Sequence, residues 1–173
     1  TGRSGEDEER VQRLLRTIAE VNSNRDLDSV LVSVVDRALS TTKAERAILM
    51  LVEGGKLRHR VARNYKGRDL AEDVSYSRTV PVEVARSGEA RILRNTAAED
   101  LADLGTSIIS LRLLTVMCVP LRYKGRVTGV IYVDNKATSM EFQSSDLVLL
   151  NALADQAAIA IENARLLEVA LQQ

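Results

Sequence analysis

One cysteine, one histidine and no tryptophan occur among the 173 residues of this chain. Zinc and iron–sulfur sites draw on clusters of thiols and imidazoles, covalent catalysis on a nucleophile beside a base, and small secreted scaffolds on paired cysteines. Each of these classes loses its raw material, and no metal site is expected. Charge of one sign is missing as well: 24 Lys and Arg stand against 24 Asp and Glu, a formal net charge of zero, without a long basic run. A dedicated nucleic-acid module needs such a run to neutralise phosphates, so no direct nucleic-acid partner is expected. No stretch approaches the ~18 consecutive apolar residues of a membrane span, and residues 1–10 are polar and acidic where a signal peptide is basic and then apolar. Membrane insertion is therefore not expected, and a cytoplasmic location is. With 45% hydrophobic and 28% charged residues, what remains is one soluble globular domain whose composition favours binding over catalysis.

The first five residues read as a tag or linker remnant, leaving 6–173 as the domain. Four acids from Glu6 suit the positive end of a helix, and Val11, Leu14, Ile18 and Val21 form its apolar stripe. Asp26 is placed to cap a second helix carrying Leu27, Val30, Leu31, Val34, Val35, Ala38 and Leu39 on one face. The apolar run Ala47–Val52, the pair Gly54-Gly55 and the alternating Leu57, His59 and Val61 predict a hairpin of one buried and one half-exposed strand. A short helix capped by Thr79 or Ser77 should end at Gly88, with a strand over 90–93 after it. A second hairpin turns at Lys124-Gly125, and Leu147, Leu150, Ala154, Ala157, Ile161 and Ala164 mark a long final helix from about Ser144. Helices outside hairpin-linked strands make the class α+β, an antiparallel sheet with helices packed on it.

Three segments resemble the GAF domain family: Ala44-Glu45-Arg46-Ala47, the strands Val119-Pro120-Leu121 and Gly129-Val130-Ile131-Tyr132-Val133-Asp134, and the tail from Leu153 to Leu166. The resemblance covers about residues 25–168 and points to GAF modules of multidomain bacterial signalling proteins. It implies a sheet of five or six strands, with the terminal helices on one face and a ligand pocket under loops and a short helix on the other. The pocket wall would include Ser75, Ser77, Arg78, Ile92, Leu111, Thr115, Met117, Val119, Tyr132 and Asp134. Asn135, Lys136, Phe142 and Asp146 match four of five positions of the signature of cyclic-nucleotide-binding members, with Leu147 in place of the fifth, a Glu. In the family a Lys–Asp pair in this motif fastens the loop over the pocket.

Each of these residues also has a plainer reading. Phe142 can staple against Leu147, and Asp146 can serve the start of the last helix. Tyr132 and Asp134 alternate with Ile131 and Val133, so the two pairs face opposite sides of the sheet, and Asp134 either accepts a ligand bond or closes a turn. Ser75, Ser77 and Arg78 form a polar loop that suits a phosphate or carboxylate, or simply solvent. His59, without a second ligating residue, is expected on a strand surface, and Cys118 as an inert buried thiol. The resemblance implies a regulatory module that binds a small molecule, of unknown identity, and signals through its terminal helices to a downstream output domain. A homodimer through the first and last helices is expected. A ligand-free dimerisation spacer and a cyclic-nucleotide binder are the alternatives.

Overall fold

The computed structural model describes residues 2–23, 26–71, 76, 78–93, 113–136 and 141–171. Helix α1 (Gly2–Ser23) begins within the stretch set apart above as a remnant, and α2 (Leu27–Thr42) follows it. Asp26 caps α2 as expected: its carboxylate accepts from the Asp28 amide at 3.1 Å and from the Ser29 hydroxyl at 3.0 Å. Strands β1 (Arg46–Glu53) and β2 (Lys56–Asn64) form the first hairpin, and β4 (Leu113–Tyr123) and β5 (Arg126–Lys136) the second. Both turns carry two left-handed residues, Gly54 and Gly55 in one (φ 61° and 76°), Lys124 and Gly125 in the other (φ 50° and 76°), the geometry that continues strand twist through a two-residue loop. Between the hairpins lie α3 (Thr79–Ser87) and β3 (Arg91–Leu93), and α4 (Ser144–Leu171) ends the fold. The residue before α3 is Arg78 rather than a capping Ser or Thr, and its side chain caps nothing; Gly88 closes the other end at φ 72°, its amide bonded to the Val84 carbonyl.

Among the described residues the strands form one antiparallel sheet in the order β2-β1-β5-β4-β3. Its two faces bury different partners. Leu49, Leu51, Met117, Val119, Leu121, Ile131 and Val133 pack with α2, α4 and Leu14 of α1, while Ile48, Met50, Cys118, Val130 and Tyr132 lie under Val80 and Val84 of α3. Removing this much apolar side-chain surface from water is the main force that holds the layers together. By length and mean composition α4 is long and apolar enough to cross a membrane, although its apolar residues are interrupted by polar and charged ones throughout. The face carrying Leu150, Leu153, Ala157 and Ile161 is buried in the domain core. Gly129, in central β5, is required where it stands, since an added Cβ would overlap the Met50 carbonyl oxygen of β1 and meet Leu51 and Leu121 at 3.0 and 3.1 Å.

Candidate functional site

The α3 face gathers Arg46, His59, Tyr76, Tyr132 and Asp134. At one end of the sheet β1 and β5 place Arg46 opposite Asp134, and the guanidinium grips the carboxylate with both arms: Nε donates to Oδ1 at 2.9 Å and Nη2 to Oδ2 at 2.6 Å. Asp134 is 1% exposed and Arg46 18%. Burial holds the Asp134 carboxyl above its ordinary range, and the two bonds from Arg46 offset only part of that shift. Burial works against the Arg46 charge as well, but Asp134 outweighs it and leaves the guanidinium above its usual value. Next to this pair, the Glu45 amide donates to Asn135 Oδ1 at 2.5 Å and to the Asp134 carbonyl at 3.2 Å, which ties the entry of β1 to the end of β5.

Tyr132 leads from the ion pair across the sheet. Its ring lies 5.8 Å from that of Tyr76, which in turn lies 6.3 Å from the His59 imidazole. Expected on an outer surface, His59 instead faces the α3 layer. The reason is a bulge in β2: Leu49 pairs with Val61 and Met50 with His59, so Arg60 is skipped and the alternation reverses. Val61 consequently packs toward the helices, whereas His59 and Leu57 turn to the α3 side. Both ring nitrogens of His59 are buried, and no hydrogen-bond partner reaches them among the described residues. Such a group is uncommon in a folded protein, and leaving it unmet costs about 1–3 kcal/mol.

The structure separates the residues expected around the pocket. Met117, Val119 and Ile92 belong to the core under the helices, on the opposite face from Tyr132, because β4 is apolar on both sides and its pairing with β5 sets odd residues toward the helices. Thr115 faces that side too, its hydroxyl accepting from the Phe142 amide at 3.5 Å. Tyr132 and Asp134 do lie on the α3 face, opposite Ile131 and Val133, although Asp134 spends both oxygens on Arg46 rather than on a turn. Arg78 is exposed and lines a groove of about 480 Å³ on the outer side of α3 with Thr79, Val82, Glu83 and Arg86. Ser75, Ser77 and Leu111 lie outside the described residues, as does the side chain of Lys136.

The remaining motif residues serve the start of α4. Asp146 accepts from the Gln143 amide at 2.8 Å, one half of a capping box. Phe142, fully buried, shares the helix-side core with Leu147, as a hydrophobic staple requires. Cys118 is also fully buried, with its thiol pushed far above the ordinary range by burial, which leaves it an unreactive packing residue. Arg46 and Tyr76 were not singled out as site residues by sequence. For Arg46 the only signal was a charged residue opening an apolar strand, and its partner lies 88 residues away. No cluster of three or more potential metal-ligating side chains occurs among the described residues.

A family model described as a GAF domain matches residues 24–162. Among solved structures, the chain is similar to the GAF domain of a putative sensor histidine kinase from Pseudomonas syringae pv. tomato, at 18% identity over 98% of this chain and 97% of that one, with a TM-score of 0.63. It is similar as well to the GAF domain of an Acinetobacter phosphoenolpyruvate-protein phosphotransferase (20% identity, 90% and 94% covered, TM-score 0.65). A third match is a GAF domain/HD domain protein from Geobacter sulfurreducens (15% identity, 84% and 98% covered, TM-score 0.63). At these identities the structural matches speak for the fold alone.

Proposed function

Because the chain belongs to the GAF domain family, we propose that it is a non-catalytic regulatory module that binds a small molecule on the α3 face and passes the change to an output domain through α1 and α4. The observation that carries this reading is the half-buried His59 imidazole, whose two shielded nitrogens have no partner among the described residues, beside Tyr76 and within one further ring of Tyr132. A ligand that offers an acceptor to one nitrogen and a donor to the other would recover the lost hydrogen bonds, and the tyrosine rings would supply apolar contact. The Arg46–Asp134 pair then serves as a fixed wall rather than a ligand group, because its charges already satisfy each other. Binding that favours one arrangement of the helices over another would shift their equilibrium by the difference in affinity.

A thermal-shift and calorimetric screen of cyclic nucleotides, nucleotides and metabolites tests this reading. A hit should raise the melting temperature of the chain and lose most of that rise in His59→Ala. No response across the screen would overturn it. Cyclic nucleotides remain a narrower version of the same proposal, for which the Asn135, Lys136, Phe142 and Asp146 motif is the argument; Asp146 already has a structural task at the α4 cap.

One observation favours a second reading, a dimerisation module. Val148, Ile159, Leu166 and Val169 are exposed on α4 and fall on the a and d positions of a single heptad frame, the seam that a second helix would cover. The homodimer would form along this seam with α1 alongside. Light scattering across a concentration series decides it: Ile159→Lys with Leu166→Lys should shift a dimer to a monomer, and a monomer at every concentration for the parent chain would refute it.

A further inference from the structure

Away from the α3 face, the end of the sheet that carries both hairpin turns is built as an amphipathic acceptor. Two grooves meet there across Val52 and Val127. One, of about 540 Å³, runs between α3 and the first hairpin over Leu57 and Val82; the other, of about 300 Å³, runs between the second hairpin and α4. Val82 is 57% exposed, so part of this floor is open to solvent. The rim is basic: Lys56 and Arg86 border the first groove, Lys124 and Arg126 the second, and the Arg122 guanidinium approaches Gly88 beside the Val127 side chain that both grooves share. None of these five cations has an ion pair among the described residues. Of the acids at the same end, Glu53 is paired with Arg60 at 2.7 Å and Glu162 with Arg165 at 3.8 Å, which leaves the exposed Glu89 beside Gly88 against the five cations. In a chain with zero formal net charge, this is a marked local excess.

Lys124 is a second, independent observation. The first position of such a two-residue turn demands φ above zero and favours Asn, Asp or Gly, and the first hairpin satisfies it with Gly54. The second hairpin holds a lysine there at φ 50°, with its ammonium 5.4 Å from the centre of the Tyr123 ring. A cation is thus kept at the tip against the backbone's preference.

We propose that this end of the sheet docks an acidic amphipathic segment of a partner protein. Its apolar side chains would enter the grooves over Val52, Leu57, Val82 and Val127, while its carboxylates meet the five cations. The surface is concave and divided, which fits side chains projecting from a helix better than the plane of a bilayer. Contact with Glu162 and Arg165 would place the partner against α4, so that docking there bears on the same helix that leads out of the domain.

Fluorescence anisotropy with a short synthetic helix, Leu on one face and Glu on the other, tests the proposal against the intact chain. Binding should weaken by roughly tenfold between 50 and 300 mM salt, and a Lys-for-Glu version of the peptide should not bind. Lys124→Gly combined with Arg126→Gln should lower affinity by about tenfold or more while leaving the melting temperature unchanged or higher, since glycine suits the turn. Equal binding of the Lys peptide, or full affinity in the double variant, would overturn the proposal. So would failure to bind the peptide together with sedimentation on phosphatidylglycerol vesicles, which assigns the surface to a membrane. Failure to bind it together with salt-sensitive self-association would likewise overturn it, by assigning the surface to a second copy carrying Glu6–Glu9.

Discussion

Replacing Arg46 by Met removes the guanidinium but keeps a side chain of similar length, and it leaves the Asp134 carboxylate stranded. At 1% exposure the carboxylate cannot reach water, so the folded protein relieves it by taking up a proton. The cost of that proton relative to the unfolded chain, with an unfolded pKa near 3.9, is about 1.36 × (7 − 3.9), or roughly 4 kcal/mol, at pH 7. At pH 5 the same expression yields about 1.5 kcal/mol. The sign follows from linkage: a carboxyl whose folded pKa is raised contributes stability below the unfolded pKa and loses it as pH rises toward the folded value. Arg46→Met should therefore be most damaging at neutral pH and recover on acidification. For a chain of this size, the neutral-pH loss corresponds to a melting temperature lower by about 8–16 °C. Combining it with Asp134→Leu should restore most of the stability and abolish the pH dependence, because removing both buried charges leaves none unpaired. Urea unfolding of the parent, the single and the double variant at pH 5 and 7 provides the measurement. A loss below about 1 kcal/mol at pH 7, the behaviour of an exposed pair, would refute the reasoning. So would an equal loss at both pH values.

Gly129→Ala should destabilise by about 3 kcal/mol or more, the upper end for overpacking, because the obstructing Met50 carbonyl belongs to a paired central strand and cannot rotate aside; chemical denaturation reads this directly, and near-parental stability would contradict the close approach. Cys118, as the chain's one thiol, should resist a chromogenic disulfide reagent at pH 8 until the protein unfolds. Since burial raises its folded pKa, its contribution to stability is complete below the unfolded thiol pKa of about 8.5 and is lost as pH rises above it, which a melting series from pH 7 to 10 can follow for the parent against Cys118→Ala. Asp146→Ala should cost about 1 kcal/mol through the lost bond to the Gln143 amide, with no change in ligand response beyond that loss of stability; an abolished response in a folded variant would return Asp146 to the binding machinery.

The elements themselves were legible because their signals are local. Gly54-Gly55 and Lys124-Gly125 sit between apolar runs as two-residue turns require, and Asp26 precedes a helical stripe as a cap should. The alternation in β5 correctly set Tyr132 and Asp134 against Ile131 and Val133. The same logic failed in β4, where neighbouring side chains are apolar on both faces, and Met117 and Val119 look equally suited to either. It failed in β2 for a different reason: no glycine or proline announces the bulge at Arg60, yet this one skipped residue sends His59 to the α3 side while Val61 stays on the helix side.

Sequence alone determined the α+β class, hairpins between amphipathic helices, and the scarcity of cysteine and histidine. Hydrophobic period and turn chemistry act over a few residues and can be read there. The tertiary structure decided which residues face α3, that Arg46 consumes the Asp134 carboxylate from 88 positions away, and that both hairpin turns bring their cations to one end of the sheet. Those outcomes depend on register and on the order β2-β1-β5-β4-β3, which are settled by contacts between strands distant in the chain.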